Sequence, residues 1–414
     1  MPMDNTDLDN SKTPKDTLKQ VNQQLERLLA RQREIDGRDA NGDSARLLEE
    51  IQTLEALAGR LRSQLEMDNA ASPPAVAAAP AKTQKESQVL TGLLLAFLSA
   101  CVLSLFNVTL KILLKVSPNP REVLGMFEVQ GLITPGLGNS LLILFVRMIV
   151  VMLVFPLLAT FLYPSVWDDL KRFIQSNDYS QMLKVVGSGF FLFLSQVFIY
   201  IAIGNIPTGI AITIFFIYPI VIIFASWALF GDRPTLARLV AMVVIGAGGI
   251  LALPQGGVEG NIELGISAAI AAGVTFAGYV LLVGLGTKKL HPIPFTMVSF
   301  AAIFIFSGIS LLLPLPPELG VSIESGTQLG LLGGGAVLGI LTLGSYLLNN
   351  FAIRFAGPAL ASIVGTSGPA LTALFGLFVI GEALGNQQWL GLGLVTLGVL
   401  GISLEKMLAP KKAS

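Results

Sequence analysis

Residues 202–232 read AIGNIPTGIAITIFFIYPIVIIFASWALFGD, and residues 352–382 read AIRFAGPALASIVGTSGPALTALFGLFVIGE. Superposed at an offset of 150 they place Ala202 on Ala352, Ala211 on Ala361, Pro219 on Pro369 and Gly231 on Gly381 without a gap, with Asp232 on Glu382. The same offset runs on to Gly248 on Gly398 and back to Gly189 on Gly339 and Ser195 on Ser345, so about three apolar stretches repeat. A hydrophobic unit duplicated along one chain points to a membrane protein built from repeats, and such duplications generally serve transport.

Composition supports this class. Hydrophobic residues make up 53% of the chain and charged ones 13%, with the charges crowded into the first 90 positions and a few short junctions. Lys plus Arg equals Asp plus Glu at 27 each, so no basic surplus argues for nucleic acid. With one cysteine, Cys101, and one histidine, His291, the chain has no disulfide framework, no cofactor or metal site is expected, and a His-based triad is ruled out.

Apolar runs long enough to cross a bilayer, about 20 residues each, lie at 89–114, 139–162, 184–204, 206–230, 235–254, 263–285, 293–314, 328–354, 357–380 and 387–407. The fold expected is therefore an all-α integral membrane protein of ten helices. Lys171, Arg172, Lys184, Arg233, Arg238, Lys288, Lys289 and Arg354 fall in connections on one side, and only Lys115 and Arg121 on the other. By the positive-inside rule both termini are cytoplasmic. Ten spans divide into two fives, and an odd number of crossings makes the second repeat enter inverted: Gly231-Asp232 inside, Gly381-Glu382 outside.

The first 88 residues carry no apolar stretch of secretory-signal type. Residues 1–71 read instead as a cytoplasmic helical hairpin or coiled-coil segment, with Leu18, Val21, Leu25, Leu28 and Ile35, then Leu47, Ile51, Leu54, Ala58, Leu61 and Leu65 at seam spacing. Gly37 to Asp43 interrupts the seam with turn residues. Each helix needs a partner, either its neighbour, a second protomer or another protein through residues 15–67; the intrachain hairpin is favoured. Residues 72–88 form a Pro/Ala-rich linker, extended from Ser72 to Ala81; 89–255 and 256–408 are the two five-helix units; 409–414 is a cytoplasmic tail.

Each half resembles the five-helix repeat of the EamA-type branch of the drug/metabolite transporter superfamily. The residues that carry the likeness are Phe106-Asn107, the stretch from Arg147 (RMIV), AIGNIPTGIA from residue 202, Pro219, GDRPT from Gly231, and in the second half Ala352 to Ala361, Pro369, GEALG from Gly381 and Gly398. The resemblance covers 89–407 and implies a ten-helix carrier working by alternating access around a pathway between the repeats, in a bacterial cytoplasmic membrane. It leaves the segment 1–88 and the loop Val116 to Asn139 unexplained.

Polar residues inside the spans must carry the chemistry, because ionisable groups at membrane depth tend to face a cavity. Lys111 lies near the outer end of span one. Arg147 lies about 12 Å into span two at helical rise. Both suit an anionic group on a small metabolite; the bland alternatives are that Lys111 snorkels to headgroups and that Arg147 pairs with Glu122 or Glu128. No Asp or Glu sits mid-span, so proton coupling has no obvious carrier.

Pro219 and Pro369 each free a backbone carbonyl at mid-depth, which either lines a shared site or merely kinks the helix. Thr213, Phe216, Tyr218, Thr366 and Ser367 flank them, and Asn107, Gln196, Tyr279, Ser345, Tyr346 and Asn349 are further wall candidates that interhelical hydrogen bonding could equally explain. The expected partners are the metabolite and the lipid bilayer. A membrane-embedded enzyme lacks the convergent carboxylates or histidines it needs. A scaffold or sensor acting through the helical head is the alternative to a carrier.

Overall fold

The computed structural model describes residues 21–26, 28, 49–60, 80–114, 120–176, 178–231, 233–254, 260–287 and 289–408. The chain forms two compact units, Met1–Gln84 and Lys85–Ser414. In the first, the described residues 21–26, 28 and 49–60 are helical, and Val21, Ile51 and Ala58 of the expected seam are buried. The expected turn at Gly37 to Asp43 and residues 72–79 of the linker lie outside the described residues.

From Pro80 onward the described chain is almost wholly helical. Its elements are α1 (Pro80–Leu113), α2 (Leu137–Leu162), α3 (Val166–Gln175), α4 (Tyr179–Asn205), α5 (Thr208–Phe215), α6 (Tyr218–Phe230), α7 (Leu236–Leu251), α8 (Ile262–Gly286), α9 (Pro292–Leu312), α10 (Gln328–Ala356), α11 (Pro358–Gly365), α12 (Gly368–Ile380) and α13 (Asn386–Leu408). Among the described residues, nine helical stretches are long and apolar enough to cross a membrane, with α5 and α6 read as one stretch and α11 and α12 as another. The expected span 235–254 is the exception: α7 has 16 residues, about 24 Å at helical rise, because Thr235 caps its start and the chain leaves the helix at Ala252, ahead of Pro254.

Three local features depart from expectation. Helix α1 begins at Pro80, within the stretch read as an extended linker. Pro suits the first helical position, the residues after it are good helix formers, and propagation from an apolar span needs no new nucleus. The loop between α1 and α2 holds a small antiparallel hairpin, β1 (Arg121–Val123) with β2 (Phe127–Val129), in an otherwise helical unit. The Leu124 N–H donates to the Val379 carbonyl and ties the hairpin to the C-terminal turn of α12. Between the second and third expected spans lies α3, a short helix with Asp168, Asp169, Lys171 and Arg172 on its polar side.

Helix ends follow local chemistry. Ile206, preceding Pro207, is extended at φ −135°, ψ 165° and stops α4. Gly231 and Gly381 close α6 and α12 in the left-handed region at φ 71° and 66°. Pro219 and Pro369 break their spans outright: α5 gives way to α6 at Phe216-Ile217, and α11 to α12 at Thr366-Ser367, 150 positions later. The starts of α5, α6 and α7 recur at α11, α12 and α13 with this same offset.

Packing repeats as well. A Cβ on Gly189 would lie 2.5 Å from the Ala302 Cβ, so α4 sits directly on α9; one on Gly339 would lie 2.8 Å from the Val150 Cβ, so α10 sits on α2. Likewise Gly265 meets Ile206, and Gly92 meets Ala356, the residue 150 positions on. Helices α7 and α13 cross antiparallel, Gly248 against Gly391 and Ala241 against Gly398. Small residues at such crossings let backbones approach where lipid offers apolar side chains no advantage.

At one end of the unit Asp178 caps α4 by accepting from the Gln181 N–H, and Lys289 Nζ donates to its other oxygen at 2.8 Å. The Lys289 hydrogen bond, then that of Gln181, holds the Asp178 carboxyl below the usual aspartate value. A depressed carboxylate stabilises the fold above its unfolded pKa and loses this contribution as pH falls through the folded value. Asp178→Asn is expected to flatten the acid side of the stability profile below the ordinary aspartate range, read by thermal denaturation against pH.

Candidate functional site

A cavity of about 440 Å³ lies where the two broken spans meet, within the size range of small-molecule sites. A Cβ on Gly368, at the second break, would stand 3.5 Å from Phe216 Cζ, at the first. Phe215, Phe216, Gly365 and Gly368 all border the cavity, so both breaks contribute to its wall. The carbonyl freed at Phe215 does not open into free space: it rests against α8, where a Cβ on Gly273 would come within 2.8 Å.

The wall carries no charged side chain. Aromatic rings dominate it: Phe106, Phe276, Tyr279, Phe300 and Tyr346 join the two phenylalanines at the break. Against them stands a polar strip. The Asn107 amide donates to Thr372 Oγ1 (3.4 Å), Thr372 Oγ1 to Ser104 Oγ (3.1 Å), and Ser104 Oγ to the Gly368 carbonyl (3.5 Å), linking α1 to α12. Ser99 Oγ donates to the Ser345 carbonyl (2.8 Å), linking α1 to α10.

Of the residues singled out in the sequence, Asn107, Gln196, Phe216, Tyr279, Ser345, Tyr346 and Asn349 border this cavity. Thr213, Tyr218, Pro219, Thr366, Ser367 and Pro369 do not. The Thr213 hydroxyl donates back to the Gly209 carbonyl, Thr366 to Ile363 and Ser367 to Val364, all within their own turns. Tyr218 packs into a ring cluster with Phe215, Phe216 and Phe276. Ser99, Ser104, Ser195, Thr342 and Thr372 border the cavity and escaped sequence reading. Ala96, Ser99, Ala100, Leu103, Ser104 and Asn107 follow 3–4 residue spacing along α1, which is the signal that could have found them. The aromatic wall residues carry no such signal, since a ring on an apolar helix looks the same in sequence whether it faces lipid, core or cavity.

Arg147 is 4% exposed and lies behind the wall. Its Nη1 donates to Gln196 Oε1 at 3.2 Å, and its guanidinium stacks over Phe106 and Tyr200. Glu122 and Glu128 face each other across the β1–β2 hairpin and are exposed, so the expected alternative pairing with Arg147 is not formed.

Lys111 neither reaches the cavity nor snorkels. It is 3% exposed, and its Nζ donates to the Ile203 and Ile206 carbonyls at 2.6 and 2.9 Å, while Glu382 Oε1 lies 3.6 Å away. Glu382 Oε2 accepts from the Thr208 N–H at 2.8 Å. One lysine and one carboxylate thus bind together α1, the end of α4, the start of α5 and the turn after α12. Above this knot α5 is closed in, with seven of its eight residues buried. In α11, at the equivalent positions, only Ala361 is buried. Helix α5 packs along α12, whereas the equivalent pair, α6 with α11, makes little contact.

Residues 123–253 and 263–404 each match the model of the EamA-like transporter family. The chain is 35% identical over 320 residues to the uncharacterized transporter sll1319 of Synechocystis sp., which spans 77% of this chain and 94% of that relative. It is 35% identical over 200 residues to the uncharacterized transporter YwfM of Bacillus subtilis, or 47% of this chain and 62% of the relative. It is 28% identical over 212 residues to the uncharacterized inner membrane transporter YedA of Escherichia coli, or 50% and 66%.

Proposed function

The chain belongs to the EamA-like transporter family and is a multi-pass membrane transporter of a small-molecule substrate, and from that premise we propose that it is a carrier, not an enzyme, moving a small anionic metabolite by alternating access. The observation that carries the reading is the cavity at the meeting of two broken spans, with the Lys111–Glu382 knot at the far end of α5 from it. With the termini cytoplasmic, as the Lys and Arg distribution favours, the Lys111–Glu382 knot lies at the outer end and the cavity extends inward.

The two repeats, 89–255 and 256–408 with α7 as the fifth crossing, are read as inverted copies. Support comes from reciprocal contacts. Gly248 touches Gly391, which is Ala241 plus 150, and Ala241 touches Gly398, which is Gly248 plus 150. Such i-to-j and j-to-i pairing is the mark of a two-fold relation, and between antiparallel spanning helices that axis lies in the membrane plane.

The copies are not chemically equal. Where Thr208 offers its N–H to Glu382, the equivalent residue is Pro358, which has none. Only the outer end can therefore be latched by a carboxylate on a helix start. A cytoplasmic-membrane location in a bacterium follows from the relatives named as inner membrane transporters. Residues 1–71 are assigned to association, by an intrachain hairpin, and residues 409–414 to a cytoplasmic tail.

Proteoliposomes holding the full chain, loaded with a panel of labelled organic anions and neutral solutes, test this reading. Saturable uptake or release is expected for at least one solute, lowered at least tenfold by Asn107→Leu with folding intact. Transport retained by a chain lacking residues 1–80 separates a carrier from a scaffold acting through its head; the absence of movement of every solute in both forms sinks the carrier reading.

A further inference from the structure

A buried guanidinium without a carboxylate is the most costly polar group in this interior. Desolvation of a charge at membrane depth is offset only by pairing or by a full set of hydrogen bonds. Arg147 has five N–H donors, yet its hydrogen-bonding partners are the neutral Gln196 Oε1 at 3.2 Å and the weakly accepting Met148 Sδ at 3.6 Å. Its Nε is buried without any hydrogen-bond partner. The rings of Phe106 and Tyr200 lie 5.3 and 5.7 Å from the guanidinium carbon, and the Tyr200 hydroxyl is itself buried without a hydrogen-bond partner. Among the described residues no Asp or Glu forms an ion pair with it.

Gln196 and Phe106 belong to two places at once. Both touch Arg147, and both border the cavity. Among the described residues the Gln196 amide is the hydrogen-bonding group that joins the cation to the cavity wall. Its carbonyl oxygen is committed to Arg147, which leaves its NH2 as the donor available to the cavity side.

We propose that Gln196 holds the place of a carboxylate on Arg147, and that the cargo is an organic monocarboxylate whose anionic group displaces the Gln196 oxygen while its apolar body lies against the aromatic wall. This rests on the carrier reading above and adds the substrate class and the exchange of partners that selects it. One oxygen of the carboxylate replaces Gln196 Oε1 on Nη1, and Nη2, held only by a thioether, serves the second, so a single-point contact becomes a two-point one. The wall has no other charge, so one negative charge on the cargo balances the one cation and a second would be buried unpaired. A neutral amide of the same shape gains nothing over Gln196 itself, because it replaces one amide oxygen with another.

The full chain in nanodiscs tests this with benzoate and unbranched monocarboxylates of four to eight carbons, against benzamide and chloride at equal ionic strength. At least one carboxylate is expected to raise the thermal midpoint of the unmodified protein, and the amide and chloride are not. Gln196→Glu is expected to raise the midpoint without ligand, since it supplies the missing carboxylate, and to weaken carboxylate binding at least tenfold. Arg147→Gln abolishes the response, and Arg147→Lys retains part of it. Equal stabilisation by benzamide, no response to any carboxylate, or a Gln196→Glu protein that is less stable or still binds carboxylate undiminished each overturns the proposal. Uptake of a neutral solute by the Gln196→Glu protein would leave the carrier reading standing while this one fell.

Discussion

Lys111→Met is expected to lower the stability of the full chain by about 3 kcal/mol, the scale on which removing one partner of a buried ion pair acts. The loss has two sources. Glu382, whose side chain is 14% exposed, is left without the 3.6 Å ammonium, and the Ile203 and Ile206 carbonyls at the end of α4 lose their donor. Glu382→Ala is expected to cost at least as much, because it removes the counter-charge of Lys111 and the acceptor of the Thr208 N–H together. The double replacement Lys111→Met with Glu382→Ala removes both charges at once, so its cost should fall short of the sum of the singles by more than 1 kcal/mol, on the order expected for directly coupled residues. Thermal unfolding of the four proteins in one detergent measures the cycle. Strict additivity would mean that the two side chains do not act as a unit, and the latch would then be no more than a crowded corner. The double variant should also let water reach the cavity past the Lys111–Glu382 end, read as faster alkylation of a cysteine placed at Thr372.

Gly391→Val is expected to destabilise the protein by about 3 kcal/mol or more, at the upper end of overpacking costs. A Cβ there would stand 2.5 Å from both the Gly248 carbonyl oxygen and the Ala252 nitrogen. These are backbone atoms of α7, so no rotamer relieves the clash and the two helices must part. Gly398→Ala should cost less, since the nearest atom, Ile245 Cγ1 at 2.6 Å, belongs to a side chain that can turn. Gly393→Ala serves as the control. Nothing lies within 4 Å of its new Cβ, and the gain in helix propensity is up to about 1 kcal/mol. Equal effects at the three positions would refute close α7–α13 packing.

Much of the architecture could be read before any coordinates. Among the described residues nine of the ten expected spans are present as apolar helices of spanning length, and helices end at Pro207, Gly231, Gly357-Pro358 and Gly381. The prolines 219 and 369 were legible as sites of a freed carbonyl, but not as complete breaks with the Phe215 carbonyl turned toward Gly273. The span at 235–254 was read too long because Ala252 to Pro254 is as apolar as the helix before it. The hairpin at Arg121–Val129 went unread because three-residue strands are too short for alternation to register.

The sequence by itself determined the class of protein, the duplication, the order of its apolar spans, and the polar residues from which a site could be drawn. These are properties of neighbours along the chain: apolar run length sets a span, proline and glycine act within one turn, and a constant offset compares a stretch only with itself. Which helix faces which was decided by the tertiary structure alone. In a bilayer an apolar face is equally satisfied by lipid and by another helix, so hydropathy cannot tell Phe276 in a cavity wall from Phe378 on the exposed surface. Nor can it join Lys111 to Glu382 or Arg147 to Gln196, pairs that meet only when distant helices close around them. The inequality of the two halves has the same origin: sequence repeats Thr208–Phe215 as Pro358–Gly365, and only packing buries the first and leaves the second open.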